Sequence, residues 1–84
     1  MTATERAHIE AVVALGCVIC GQPAQCHHVR REGAKKDNMK VIGLCPRHHQ
    51  TGGQYVAIHA GRESWERNHG TEAHWLREVA RRLA

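Results

Sequence analysis

A small zinc-stapled α+β domain, a ββα unit with flanking helices, is the fold class the sequence predicts, and three observations predict it. The chain has 84 residues with no Phe, two Trp and one Tyr, and a chain this short buries a limited core and commonly needs a metal or a disulfide set to hold it. It carries two pairs at metal-ligand spacing, Cys17-Val18-Ile19-Cys20 and Cys45-Pro46-Arg47-His48, with 24 residues (21–44) between them. β-prone residues lie between the pairs, and helical patterns lie outside them. Residues 1–84 read as one domain, with no internal repeat, low-complexity tract or linker.

Taken in order, Thr4 is a plausible N-cap with Glu5 in the first turn, and Ile9, Val12, Val13 and Leu15 lie near a helical stripe that Gly16 ends. This predicts a helix over 4–15, packed over the metal-bound part. Cys17 to Gly21 forms a knuckle: two thiolates two residues apart reach one zinc, and the glycine lets the chain turn sharply around it. Gln22 to Gln25 is a turn leading into a short strand over 25–29, and Gly33 is the pivot of the loop that follows. Met39 to Leu44 is the returning strand. Pro46 then opens a short helix, where its missing N–H is harmless, and Gly52-Gly53 closes it. On that helix Cys45 and His48 share one face, while His49 points about 100° away towards a different neighbour. The zinc-bound core thus spans about 17–59. Beyond it, 54–61 is irregular and contains His59, and 62–69 is a helix carrying Trp65 and stopped by Gly70. Thr71 caps a final amphipathic helix through Trp75, Leu76, Val79 and Leu83. Trp65 and Trp75 read as core anchors, and His69 and His74 as solvent-facing or capping residues.

Twelve Lys+Arg stand against eight Asp+Glu, a formal charge of +4. Most of the excess lies between residues 30 and 40, where Arg30, Arg31, Lys35, Lys36 and Lys40 face only Glu32 and Asp37. Such a basic loop beside a metal cluster suits a polyanion such as nucleic acid. Met1 to Glu10 is polar, and the apolar run Ala11 to Leu15 is too short for a signal-peptide core or a membrane span. The expected location is therefore cytoplasmic, with no membrane partner. Thiols stay reduced there, and paired cysteines more often hold zinc than form disulfides.

Cys17, Cys20, Cys45 and His48 match a structural Zn2+ site of the Cys3His type, a closed tetrahedron with no position for substrate. Cys26 is a spare thiol: it either substitutes for His48 or is buried under the hairpin as a small apolar residue, and the second is favoured. His27, His28, His49 and His59 are left over. Adjacent strand residues point to opposite faces, so His27 and His28 do not bind one ion together; one binds metal while the other works beside it. Phosphodiester hydrolysis needs that division, with an ion on the phosphate oxygens and an imidazole to take a proton from water.

The order Cys-x-x-Cys, His-His, hairpin, Leu-Cys-x-x-His-His resembles the HNH (ββα-metal) endonuclease family over residues 17–59. The run Thr51-Gly52-Gly53, Ala57 to Gly61, Trp65-Glu66 and Gly70-Thr71-Glu72 is more narrowly similar to phage recombination-enhancement (Ref-type) RecA-dependent nucleases. The resemblance implies that His27 and His49 hold a catalytic divalent ion and that His28 is the general base. Many HNH proteins place a third ligand four positions after the second; position 53 is Gly here, and His59 is the available imidazole. The family's middle Asn, which holds the base, falls by usual spacing on Lys40. Asn38 or Asp37 serves if the hairpin is longer, or a backbone carbonyl does; Asn38 is carried over. Arg30, Arg31, Lys35 and Lys36 would anchor flanking DNA phosphates. The ion would be Mg2+, Mn2+, Ni2+ or Zn2+, with imidazoles favouring the softer ones, and a RecA-type recombinase filament is an implied partner. Two other classes remain open: a non-catalytic zinc-stapled module that binds nucleic acid, and a recombinase-docking domain.

Overall fold

The computed structural model describes residues 1–29 and 34–84. Helix α1 runs Ala3–Ala14. Its N-cap is Thr2, two residues before the expected Thr4. The Thr2 hydroxyl accepts from the Glu5 N–H at 3.1 Å, and the Glu5 carboxylate accepts from the Thr2 N–H at 2.7 Å. This reciprocal pair satisfies two helix-end donors at once, which Thr4 has no acid at the right spacing to do. The chain leaves the helix through Leu15 and Gly16, the latter at φ 83°.

Strands β1, Gln25–His28, and β2, Val41–Leu44, form one antiparallel pair. The register sets Gln25 opposite Leu44, Cys26 opposite Gly43, His27 opposite Ile42 and His28 opposite Val41. β2 is shorter than the expected 39–44 because Asp37 to Lys40 closes as a turn, the Lys40 N–H reaching the Asp37 carbonyl at 3.0 Å. β2 is the centre of the core: Val41, Ile42 and Leu44 are fully buried, with Val12, Val18, Ile58, Trp65 and Val79 around them.

Pro46 opens a helical turn, as its fixed φ favours, but the turn Arg47–Thr51 is π-helical. The Gly52 N–H closes it onto the Arg47 carbonyl at 2.9 Å. A 3-10 turn, Ile58–Ala60, follows, then α2, Arg62–His69, and α3, Glu72–Leu83. Thr71 caps α3 by accepting from the His74 N–H at 3.0 Å. α3 packs on β2 and α1, and α2 on the 3-10 turn. Trp65 of α2 is wholly buried, whereas Trp75 is half-buried and donates its indole N–H to the His69 carbonyl at 3.0 Å. The chain is thus a small α+β fold: a two-stranded sheet with helices around it.

Gly43 is the tightest point of that packing. A Cβ there would lie 2.8 Å from the Gly16 carbonyl oxygen and 3.1 Å from Ala24 Cβ. The first neighbour is backbone and cannot rotate aside. Gly43→Ala is expected to destabilise the zinc-loaded protein by about 1–3 kcal/mol, read as a lowered urea midpoint. An unchanged midpoint would mean that the end of α1 and the cysteine knuckle do not press on β2.

Candidate metal centres

Two groups of metal-ligating side chains form, and the turn Arg47–Thr51 contributes one residue to each, His48 and His49. The first is Cys17, Cys20, Cys45 and His48. The knuckle that presents the first two is fixed by the Cys17 N–H on the Gln22 carbonyl and the Gly21 N–H on the Cys17 carbonyl, both 2.8 Å. Gly21 takes φ 78°, which a side chain would resist. The Val18 N–H reaches the Gly43 carbonyl at 3.0 Å, so the knuckle hangs from β2.

The spacing of these donors tests whether zinc fits. A tetrahedral ion with Zn–S near 2.3 Å and Zn–N near 2.05 Å sets sulfurs about 3.8 Å apart, and sulfur and nitrogen about 3.5 Å apart. Cys20 and Cys45 Sγ are 3.7 Å apart, and His48 Nδ1 lies 3.6 Å from Cys17 Sγ and 3.1 Å from Cys45 Sγ. The group has the dimensions of a structural zinc site, and all four cysteines of the chain are free of disulfides. Burial, with His69 and Arg47 nearby, lowers the His48 pKa and favours the neutral ring that a metal needs. His69, read as solvent-facing or capping, is half-buried at the end of α2. Its ring sits edge-on to His48 at 5.4 Å and against Trp65 at 5.3 Å. It thus lies beside the cysteine–histidine group, a placement no local spacing foretells. His74 is exposed as expected.

The second group is His27, His49 and His59, each offering one ring nitrogen within 4.8 Å of the others. Their ring centroids are 4.5 to 5.8 Å apart. β1 supplies His27, the π turn His49 and the 3-10 turn His59. The donors are nitrogen alone, and three of them leave a coordination position open, unlike the closed cysteine set. Each of two rings is held at one nitrogen by a neighbour: His49 Nδ1 by Gln25 Oε1 and His27 Nε2 by Glu72 Oε2, both at 2.8 Å.

His28 points off the other face of β1, as strand alternation requires. Its Nε2 lies 2.9 Å from Asn38 Oδ1, and the Asn38 amide in turn donates to Glu5 of α1 at 3.5 Å. Of the partners left open by the sequence, Asn38 is therefore the one at His28. Asp37 is turned away, accepting from the Met39 N–H at 2.9 Å. A cavity of about 470 Å3 is lined by His27, His28, His49, His59, Lys36 and Arg62, among others. Lys35 lines a neighbouring groove with Lys40 and Arg62, so the two adjacent lysines part company. Arg30 and Arg31 lie outside the described residues. Cys26 is half-buried: it packs against the core cluster and also lines the cavity, and it belongs to neither ligand group, so it does not take the place of His48. Burial raises its thiol pKa.

Gln25, Arg62 and Glu72 are site residues that the sequence did not signal. Position 72 reads locally as a first-turn acid, and nothing connects it to a histidine 45 residues earlier. Comparison with family models, curated proteins and solved structures finds no match. Among the described residues, no helix is long and apolar enough to cross a membrane.

Burial, and then the neighbouring His59 and His27, lower the His49 pKa from 6.5 to about 4. Between those values the unfolded chain binds a proton that the folded chain refuses. This contribution to stability is complete above pH 6.5 and is lost as pH falls through the window towards 4. The melting temperature of zinc-loaded protein is expected to fall across that range, and to fall less steeply in His49→Gln. Parallel curves for the two proteins would contradict the burial argument.

Proposed function

We propose that the chain is a metal-dependent DNA endonuclease of the HNH (ββα-metal) type, resembling the phage Ref-type enzymes. One observation carries this reading: His28, held by Asn38, stands beside an open three-histidine cluster rather than inside it. A purely structural second metal site would have no use for an oriented imidazole next to it in the same cavity.

A divalent ion on His27, His49 and His59 would supply Lewis-acid stabilisation of charge on the scissile phosphate and its leaving oxygen. The chain's own groups do the rest. His28 donates its Nε2–H to Asn38 Oδ1, which leaves the Nδ1 lone pair free to accept a proton from the attacking water. An imidazole suits that task near neutral pH. Lys36 and Arg62, cations on the same cavity, hold the non-bridging oxygens and fix the phosphorus for in-line attack. The family resemblance implies a 3′ hydroxyl and a 5′ phosphate as products, and a RecA-type filament as the setting in which DNA is presented.

The test is cleavage of plasmid and single-stranded DNA by the purified chain with Mg2+, Mn2+ or Ni2+. Cutting that requires the added ion, and that His28→Ala loses while keeping one tightly bound zinc, is the expected result. No cutting, alone or with a RecA-type filament, would replace this reading with a zinc-stapled module that binds nucleic acid or docks on the recombinase.

A further inference from the structure

Glu72 is the buried carboxylate among the described residues, 7 % exposed at the start of α3. Burying a carboxylate is costly unless it is partnered. Its two partners are unequal. Oε2 lies 2.8 Å from His27 Nε2, whose side chain is itself 13 % exposed, while Oε1 lies 3.9 Å from the guanidinium of Arg62, which is 57 % exposed. A distant and solvated ion pair contributes little. The short, buried contact is the one to His27. The placement of α3 is directed to it: the Glu72 N–H is fixed by the Glu66 carboxylate at 2.7 Å, so the first turn of the helix aims its side chain at β1.

A fold that needed only stability would be served as well by an apolar residue packed at this point. The contact has a more specific consequence. A neutral imidazole that gives its Nε2–H to a carboxylate keeps the lone pair on Nδ1, in one tautomer and one ring orientation, and becomes a stronger donor there. The same logic appears at a second ring of the cluster. His49 presents Nδ1 to Gln25 Oε1, which leaves Nε2 free. Two imidazoles from different elements are thus each pinned at one nitrogen and open at the other, in the manner of ligands prepared for an ion.

We infer that Glu72 is a positioning residue for a divalent ion on His27, His49 and His59, fixing His27 as an Nδ1 ligand and setting the affinity of the site. This rests on the metal-site part of the reading above and not on nuclease activity. It also gives α3 a role at the site, since the helix that packs on β2 and α1 delivers the carboxylate.

The test uses the full chain with zinc in the cysteine site, titrated with Co2+ and followed by its visible absorption bands. Wild type is expected to bind one Co2+, and His27→Ala none. Glu72→Gln keeps an acceptor of the same length without the charge, and is expected to weaken Co2+ binding several-fold and to displace the bands. Glu72→Ala is expected to weaken it about 10–100-fold. Zinc content and the urea midpoint of Glu72→Gln should stay those of wild type, which separates a ligand effect from a folding defect. Wild-type affinity and bands in Glu72→Gln, with His27→Ala still unable to bind, would overturn the role of Glu72 alone. Failure of wild type to take up Co2+ would overturn the metal site and this inference with it.

Discussion

Replacing Cys45 by Ser is expected to release the structural zinc and, with it, the folded state. Cys45 is 5 % exposed and its sulfur stands 3.7 Å from Cys20 Sγ and 3.1 Å from His48 Nδ1, so it is the ligand that joins the knuckle to the π turn. Structural zinc sites of this kind contribute on the order of 10 kcal/mol to folding at neutral pH. An 84-residue chain whose largest fully buried side chains, among the described residues, are Trp65, Ile42, Leu44, Val12 and Val41 has little else to set against that loss. Total stabilities of small domains are about 5–15 kcal/mol. The variant should therefore be unfolded by circular dichroism and free of zinc after dialysis, at any temperature. Cys26→Ser is the control: Cys26 belongs to neither metal group and is half-buried, so zinc and fold should be kept. A folded Cys45→Ser protein with wild-type zinc content would remove the site from the account of stability. It would also leave the small core unexplained.

Most of the cysteine site was legible because its determinants are local. A thiolate pair two residues apart and a Cys-x-x-His on a turn state their own geometry, and the structure brings all four together. The separation of His27 from His28 follows as directly from strand alternation. The place of His59 was legible only as the one imidazole left over, for it depends on a path no motif encodes. Between His49 and His59 the chain turns out and back through Gly53 at φ 80° and Tyr55 at φ 68°. Left-handed conformation in a tyrosine is uncommon and costs about 1 kcal/mol or more. It is held by the Asn68 amide of α2 donating to the Tyr55 carbonyl at 2.9 Å. That excursion is what lets an imidazole ten residues on land with its ring 4.5 Å from His49.

The contacts that sequence could not give share a second cause. Glu72, His69 and Gln25 act across elements, and each carries a local role that hides the distant one. Glu72 looks like a helix-start acid, His69 like a helix-end cation, and Gln25 like a turn residue. Tertiary packing, not spacing, assigns them their partners. The shift of the first cap from Thr4 to Thr2 has a local cause instead, the Thr2-x-x-Glu5 capping box, but Glu5 also receives the Asn38 amide. Helix α1 is thereby tied to the residue that holds His28.

On the nuclease reading, the second large effect is expected at that pair. His28→Ala should lower the rate of metal-dependent DNA cleavage by about 10²–10⁴-fold, the range that positioned general bases supply. Zinc content and Co2+ binding should be unchanged, because His28 belongs to neither metal group. Asn38→Ala should lower the rate less, since it removes no proton acceptor. It frees the imidazole to rotate and to take the wrong tautomer, through loss of the 2.9 Å contact at Nε2. The two losses should not add. Once the imidazole is gone, Asn38 has nothing to orient, and the double variant should cleave no more slowly than His28→Ala. Additive losses would place Asn38 in contact with substrate instead, and would send the search for the residue that orients His28 elsewhere. Asn38→Asp sharpens the comparison, because a carboxylate still accepts the Nε2–H and keeps the tautomer. That variant should recover most of the rate lost in Asn38→Ala if orientation is what the contact supplies. It should recover none if the amide N–H₂, which reaches back to Glu5, is what matters. The outcome therefore decides whether α1 only braces the site or takes part in aiming its base.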